Sequence, residues 1–167
     1  MNDSTEFMHH GRRMLWWTEY DGDAGAPWER EDGHGPVSEW TSRAKRPGER
    51  VLSEDRGVVR YYDWQGAMKI ARKDKWGSKR ALPDDTPRRI AFLAVEDDFE
   101  HLRQWCNEQW FYVGVIVRDV ESGEHESLWG IESDAEAYLE EVRDELASSL
   151  HPLASREEAA NLELCSD

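Results

Sequence analysis

Apolar residues recur three or four positions apart from residue 63 to residue 76, as they do on one face of a helix. The positions concerned are Trp64, Ala67, Met68 and Ala71. Lysine and arginine residues occupy the opposite side of this segment, and Gly77 follows it as a stop signal. The spacing therefore predicts a helix over residues 63–76.

Two further helices are predicted by the same spacing together with capping signals. Thr86 followed by Pro87 is typical of a helix start and predicts a helix over 87–107. Ser133 with Glu136 three positions later matches a capping box, which predicts a helix over 134–149. The apolar stripes of these two helices are Ala91, Val95, Phe99, Leu102 and Cys106, and Tyr138, Leu139, Val142, Leu146 and Ser149.

Aromatic and β-branched residues without helical spacing predict strands. One such run extends from Trp110 to Val117, and a second covers Ser127 to Ile131 after the turn sequence ESGEH. Together the two runs predict an antiparallel hairpin over 110–131. Residues 13–20 predict one further short strand near the N-terminus.

A long loop is predicted between the first strand and the first helix. Residues 21–50 contain five glycines and three prolines, and loops of this length in compact domains are usually functional or disordered. Disordered segments are poor in aromatic residues, so Trp28 and Trp40 indicate that the loop is attached to the core. We expect the tip of the loop to remain accessible.

These elements predict a single-domain α+β fold in which a small antiparallel sheet, the hairpin 110–131, packs against about three helices. A length of 167 residues with 38% hydrophobic content is sufficient for one such core. The predicted organisation is an N-terminal segment with a short strand (1–20), the long loop (21–50), a compact core (51–150) and a C-terminal tail (151–167).

The composition narrows the classes of function. A net charge of −15, from 36 acidic and 21 basic residues, argues against direct binding to nucleic acid or an anionic membrane and favours a partner with a basic surface. The start of the chain lacks the apolar region of a secretory signal, and no run approaches the roughly 20 apolar residues of a membrane span. A soluble, cytoplasmic protein is expected. Cys106 and Cys165 are expected to be reduced thiols, because two distant cysteines do not make a disulfide framework.

The negative charge is concentrated in the last part of the chain. Residues 1–42 carry a net charge of −6, residues 43–90 carry +7 and residues 91–167 carry −16. On the predicted helix 134–149, acids recur every four residues, which places a carboxylate about every 6 Å, an interval comparable with phosphate spacing in nucleic acid. Such a helix is either an ordinary solvated face or a surface that competes for a basic channel. The candidate partner-binding residues are Asp119, Glu121, Glu124, Glu126, Glu136, Glu140, Glu141, Asp144 and Glu145.

The residue patterns of catalysis and metal binding are missing from the sequence. The six histidines are scattered, and there is no Cys-x-x-Cys, His-Glu-x-x-His, Gly-x-Ser-x-Gly or phosphate-binding glycine loop. Acid pairs such as Asp97 with Asp98 are too numerous to single out a divalent-metal site. The sequence therefore predicts a protein that is not an enzyme and that uses no cofactor and no metal.

Three stretches of the chain resemble a family of small acidic proteins encoded by bacteriophages and prophages, a family without an assigned activity. The stretches are APWEREDGHGPVSEW, RYYDWQGAMKIARKDKWG and SLWGIESD, and the resemblance spans roughly residues 26 to 146. It implies a phage origin and a bacterial host cytoplasm, and it supplies no catalytic residues. Phage accessory proteins of this size and charge often disarm host defences by occupying nucleic-acid-binding surfaces.

The charge pattern and the resemblance together predict an inhibitor of the anti-CRISPR or anti-restriction type that binds a host nucleic-acid-handling defence protein by mimicking nucleic acid. The alternative is a non-catalytic accessory protein that binds single-stranded nucleic acid through the basic segment 43–90, whose rings Tyr61, Tyr62, Trp64 and Trp76 would stack on bases. Trp64 lies on the apolar face of its predicted helix, which favours a core position. A third reading is a small enzyme or interaction protein with its site in the long loop. The sequence leaves the oligomeric state open.

Overall fold

A computed structural model describes residues 3–151, and within this range the chain combines helices with two antiparallel sheets. The predicted α+β class is therefore confirmed. The elements in chain order are β1 (Thr5–His9), β2 (Arg12–Tyr20), α1 (Pro27–Arg30), β3 (Glu49–Asp55), β4 (Val58–Asp63), α2 (Trp64–Lys73), α3 (Pro87–Cys106), β5 (Tyr112–Asp119), β6 (His125–Glu132) and α4 (Glu136–Leu150).

Backbone contacts divide these residues into two compact units. The first unit joins residues 3–24 to residues 111–151, and the second unit is the continuous segment 25–110. This division cuts across the predicted core 51–150. The predicted C-terminal tail, with Cys165, lies outside the described residues from residue 152 onward. Within 3–151, no helix has both the length and the apolar character that crossing a bilayer requires.

The first unit is a four-stranded sheet covered on one face by α4. The strand order is β1-β2-β5-β6, with every neighbouring pair antiparallel. Side chains of a strand alternate between the two faces, so every second residue of β5 points towards the helix. The core between sheet and helix consists of Met14, Val113, Val115, Val117, Ile131, Leu139, Val142 and Ala147.

The Trp-Gly step of β6 forms a bulge in this sheet. Val113 pairs with Ile131 and Val115 pairs with Leu128, so two residues of β6 stand opposite Gly114 of β5. Gly130 adopts a φ of 77°, the left-handed conformation that glycine tolerates best. The ring of Trp129 lies against Gly114, where a β-carbon would overlap it. The predicted hairpin is therefore present, with its register set by this glycine pair.

The start of α4 differs from the predicted capping box. The helix begins at Glu136 after Ala135, and no side chain caps it. The Ser133 hydroxyl accepts a hydrogen bond from the Phe111 amide at 3.1 Å, and the Ser133 amide donates to the Phe111 carbonyl at 2.8 Å. Ser133 therefore extends the pairing of the hairpin instead of capping the helix, because a strand neighbour is already within reach of its side chain. The predicted role of Ser133 as N-cap is wrong.

The second unit packs α2 and α3 against the small sheet β3–β4. Both of its longer helices are capped by a side chain. Thr86, the predicted cap of α3, accepts a hydrogen bond from the Arg89 amide, and Asp63, which the prediction placed inside the helix, caps α2 by accepting from the Gly66 amide. The sequence predicts that three helices pack on the hairpin 110–131. In the structure α4 packs on this hairpin, whereas α2 and α3 pack on β3. The core of this unit is Leu52, Tyr62, Ala67, Ala71, Ala91, Val95, Phe99 and Leu102.

The predicted long loop is ordered against the second unit. Residue Trp28, in the single turn α1, packs on the core of this unit, as predicted. Trp40 is exposed instead. The Arg60 guanidinium lies over the rings of both Trp40 and Trp28, at 4.7 and 4.9 Å from their centroids. Val37 and Thr41 form isolated bridges to β4. The loop thus lies along the sheet edge.

Candidate functional site

The outward face of α4 is a continuous acidic surface. Leu139, Val142 and Ala147 are buried against the sheet, and this fixes the rotation of the helix. The acids predicted for this surface lie on the solvent side, and all five are exposed: Glu136, Glu140, Glu141, Asp144 and Glu145. At 1.5 Å of rise per residue, the first, second and fourth of these stand about 6 Å apart along the axis.

An exposed aromatic residue stands among these acids. Tyr138 was predicted to belong to the apolar stripe, but half of its surface (50%) is exposed, and Ser149 is exposed as well. Ala147 takes the inward position that the sequence pattern did not assign. A ring in the middle of a charged face is the type of residue that anchors protein interfaces, because it brings contact area with little loss of side-chain freedom. Tyr138 is therefore added to the acidic residues of α4.

The helix α4 contributes little positive charge to balance these acids. Arg143 is the single basic residue between Glu136 and Leu150. Its guanidinium pairs with Asp144 at 2.9 Å, and it also stacks on the rings of Phe7 and Trp16 at 4.9 and 5.4 Å. The other four predicted acids form no ion pair with this arginine.

Asp119 does not belong to the acidic surface, which corrects the prediction. Its side chain is buried, with 3% exposure, and it forms an ion pair with Arg12 at 2.6 Å. It also accepts hydrogen bonds from the amides of Glu121 and Ser122. Burial opposes its ionisation, but the Arg12 and amide hydrogen bonds outweigh burial and lower the pKa of Asp119. This aspartate closes the β5–β6 turn, so it cannot meet a partner.

The remaining hairpin acids are exposed but differ in their surroundings. Glu121 lies 3.3 Å from Arg12, which neutralises it in part. Glu124 and Glu126 line a shallow depression of about 430 Å³ together with Ser149 and Leu150, next to the C-terminal end of α4. The structure therefore brings Glu124 and Glu126 to one end of the helical face and leaves Glu121 with an internal partner.

Three acids of the run EDDFE form contacts within the second unit. Asp97 and Glu96 pair with Arg80 at 2.8 and 2.9 Å. The Asp98 side chain is buried, with 8% exposure, and it accepts three hydrogen bonds. The donors are the His34 ring at 2.6 Å, the Gly35 amide at 2.8 Å and the Tyr62 hydroxyl at 2.7 Å.

This Asp98 cluster joins the long loop to α3 and β4. Burial lowers the affinity of His34 for a proton, but the hydrogen bond and charge of Asp98 and the charge of Glu31 outweigh burial and raise the pKa of His34. Burial and the Asp98 charge raise the pKa of Tyr62, which therefore remains a donor. The partners found for His34 within the described chain are carboxylates, an arrangement that positions a loop. The sequence pattern gave no signal for it, since His34 and Asp98 are 64 positions apart.

The rings of the basic segment 43–90 are mostly occupied by the protein itself. Tyr61 and Tyr62 are buried, and Trp64 is covered by the Arg50 guanidinium at 3.5 Å. Arg43 forms a bidentate ion pair with Glu49. These hydrogen bonds are the main reason why the pKa of Glu49 is lowered to about 2. Tyr61 and Tyr62 therefore offer no free face to the bases of a nucleic-acid strand, whereas Trp64 and Trp76 each line a surface pocket.

Metal binding has no support in the described part of the chain. Among residues 3–151, no group of three or more histidine, cysteine, aspartate or glutamate side chains is arranged to hold a metal ion.

Comparisons of the chain with protein-family models, with curated proteins and with solved structures give no significant match. The resemblance to phage-encoded acidic proteins therefore stays a prediction.

Proposed function

We propose that this protein is a non-catalytic binding protein whose α4 surface occupies a basic, nucleic-acid-binding surface of another protein. One observation carries the proposal: the acids of α4 are held on one rigid face at phosphate-like intervals, and of the five predicted acids Asp144 alone is paired with a base of that helix. Like charges held together on a surface repel one another, so a basic partner lowers their free energy. Tyr138 supplies an apolar anchor within the same face.

The setting proposed for this activity is the cytoplasm of a bacterial host infected by a phage. There the partner is a defence protein of the CRISPR or restriction type, since such proteins carry lysine- and arginine-lined channels for nucleic acid. This setting rests on the resemblance of the three sequence stretches and on the charge of the protein. Oligomeric state plays no part in the proposal.

Charge reversal at the α4 face tests the proposal. The variant Glu140→Lys, Glu141→Lys, Asp144→Lys should weaken partner binding at least about tenfold, because charges at an interface act mainly on the association rate. The matched control is Glu54→Lys, Asp55→Lys, Asp74→Lys, which changes the net charge by the same amount at exposed positions of the second unit. Circular dichroism should show both variants folded.

The measurement is affinity capture from a bacterial lysate with the parent and both triple variants, followed by elution with a duplex DNA oligonucleotide. A protein retained by the parent and by the control, lost with the α4 variant and released by the DNA has the expected behaviour. Equal retention by all three proteins, or retention that DNA does not affect, would contradict binding through a nucleic-acid-like surface.

A further inference from the structure

The second unit contains a cleft that the acidic surface does not involve. It has a volume of about 420 Å³ and lies between the C-terminal end of α2 and the first turns of α3. Its apolar lining is Ala71, Trp76, Pro87 and Ile90, and its polar lining is Arg72 and Lys75, with Gly77 completing the wall. The volume falls within the range of small-molecule sites, which are typically mostly apolar with a few polar groups.

The end of α2 gives this cleft its shape. Lys75 has a φ of 53°, and the Trp76 amide donates to the Ala71 carbonyl at 2.9 Å, which is the Schellman arrangement at a helix end. In this motif the residue after the left-handed position folds back over the last turn, so the indole of Trp76 is held beside Ala71. The backbone of Trp76 is thus held at the end of α2, and its ring packs on the core of the unit.

The two cations at the cleft have no anionic partner identified within the described chain. Arg72 and Lys75 are exposed, and neither forms one of the ion pairs found among residues 3–151. By contrast, Arg43 and Arg80 of the same unit are each paired with carboxylates. An apolar wall beside two unpaired cations is complementary to a molecule that has both an apolar body and a negative charge.

We propose that this cleft binds a small organic anion with an apolar body, which places its carboxylate, sulfonate or phosphate between Arg72 and Lys75. The apolar body lies against Trp76 and Ile90. Fatty acids and nucleotides both offer this chemistry, and a single nucleic-acid strand offers it once per nucleotide. The proposal is independent of the acidic surface, which belongs to the first unit.

The test uses the full-length protein and the fluorescent probe 8-anilinonaphthalene-1-sulfonate, an aromatic ring system with one negative charge. The parent should bind it saturably, with a blue-shifted emission. The variant Arg72→Gln, Lys75→Asn should weaken this binding roughly tenfold or more, because charge-assisted contacts are lost. Asparagine tolerates the left-handed conformation of Lys75, so the helix end is preserved. The matched control is Lys73→Gln, an exposed α2 residue that does not line the cleft.

Competition then identifies the source of the anion. Dodecanoate, adenosine monophosphate and a single-stranded oligo-dT are each added to the complex of the parent with the probe. Displacement by dodecanoate alone indicates an acyl ligand, and displacement by the mononucleotide indicates a free nucleotide. Displacement by the oligonucleotide alone would show that the cleft binds a strand and would overturn the proposal of a small anion. The proposal is overturned if the parent shows no saturable binding, if the double variant binds as the parent does, or if none of the three competitors displaces the probe. Loss of binding in the Lys73→Gln control overturns it as well.

Discussion

The two units contain the same number of acidic residues but differ completely in net charge. Residues 3–24 and 111–151 carry 16 acids and 4 basic residues, whereas residues 25–110 carry 16 of each. In the second unit several acids form ion pairs with basic residues or histidine of the same unit, among them Glu49, Asp97 and Asp98. In the first unit the five predicted acids of α4 face solvent, and Arg143, the one base of this helix, pairs with Asp144.

The number of acids in a unit therefore does not decide whether its surface is acidic. Asp98 and Glu140 are both acids on a helix. Asp98 holds the long loop through three hydrogen bonds, whereas Glu140 is exposed to solvent. The difference lies in what packs on the helix. α3 is covered by β3 and α2, whereas α4 is covered by strands β1, β5 and β6 on its sheet side and exposes its acids on the other side. We therefore expect substitutions of the paired acids of the second unit to affect stability and substitutions of the exposed acids of α4 to affect binding.

The largest expected effect on stability is at Asp98. Replacing it with alanine leaves the buried Tyr62 hydroxyl and the Gly35 amide without their acceptor and removes the partner of His34. We expect Asp98→Ala to lower the free energy of unfolding by about 3–5 kcal/mol in urea titrations, the range for breaking a buried pair. The neighbouring change Asp97→Ala should cost about 1 kcal/mol or less, because its contacts are partly exposed. Similar losses for both would remove the contrast between buried and exposed acids.

A second prediction compares the two units with the same added methyl group. A β-carbon at Gly35 would overlap the hydroxyl of Tyr62, which is fully buried, and a β-carbon at Gly114 would overlap the ring of Trp129, which is 45% exposed. Gly35→Ala should cost about 2–3 kcal/mol, and Gly114→Ala about 1 kcal/mol, because only the exposed ring can move aside.

Urea unfolding measures both glycine variants, and a double-mutant cycle of Gly114→Ala with Trp129→Ala locates the clash in the first unit. The double variant should lose less than the sum of the two single changes, since the ring that the methyl meets is gone. Strict additivity would show that Trp129 is not what Gly114 accommodates. A larger loss for Gly114→Ala than for Gly35→Ala would reverse the expected order.

The smallest expected effect is a difference in pH dependence between the units. The pKa of His34 is raised above its usual value of 6.5, so its stabilising contact with Asp98 is fully present below pH 6.5 and is lost as pH rises through the raised pKa. The pKa of Asp119 is lowered below 3.8, so its pair with Arg12 is present above pH 3.8 and is lost as pH falls through the lowered pKa. Between pH 5 and pH 8 the Asp119 pair should therefore stay fully formed, whereas the His34 contact should weaken as the pH rises.

The pH effect is measured as the difference in unfolding free energy between the parent and His34→Gln. This difference should be larger at pH 6 than at pH 8.5. A parallel series with Asp119→Asn should give a difference that stays constant over this interval. A His34 contribution that grows with pH would mean that the neutral imidazole, not the imidazolium, is the stabilising form.

Part of the candidate site was predictable because it follows from the local period of the chain. The acids from Glu136 to Glu145 recur at helical spacing opposite Leu139 and Val142, and a helix can bury only one side against a sheet. Glu124 and Glu126 were predicted as exposed hairpin acids and are so. Asp119 was predicted to belong to the same surface, and this was wrong. The spacing of residues in the sequence does not show that Asp119 pairs with Arg12, 107 positions away.

The sequence alone determined the class of the fold, the positions of α2, α3 and α4 within a few residues, and the cap of α3 at Thr86, since these depend on residues that are neighbours in the chain. Only the tertiary structure decided that β3 and β4 form a separate sheet, that Ser133 bonds to Phe111 instead of capping α4, and that His34 meets Asp98. The physical reason is the same in each case. Short-range periodicity and capping are fixed by contacts three or four residues apart, whereas strand partners and buried polar clusters join residues that are tens of positions apart, and many pairings satisfy the same local pattern.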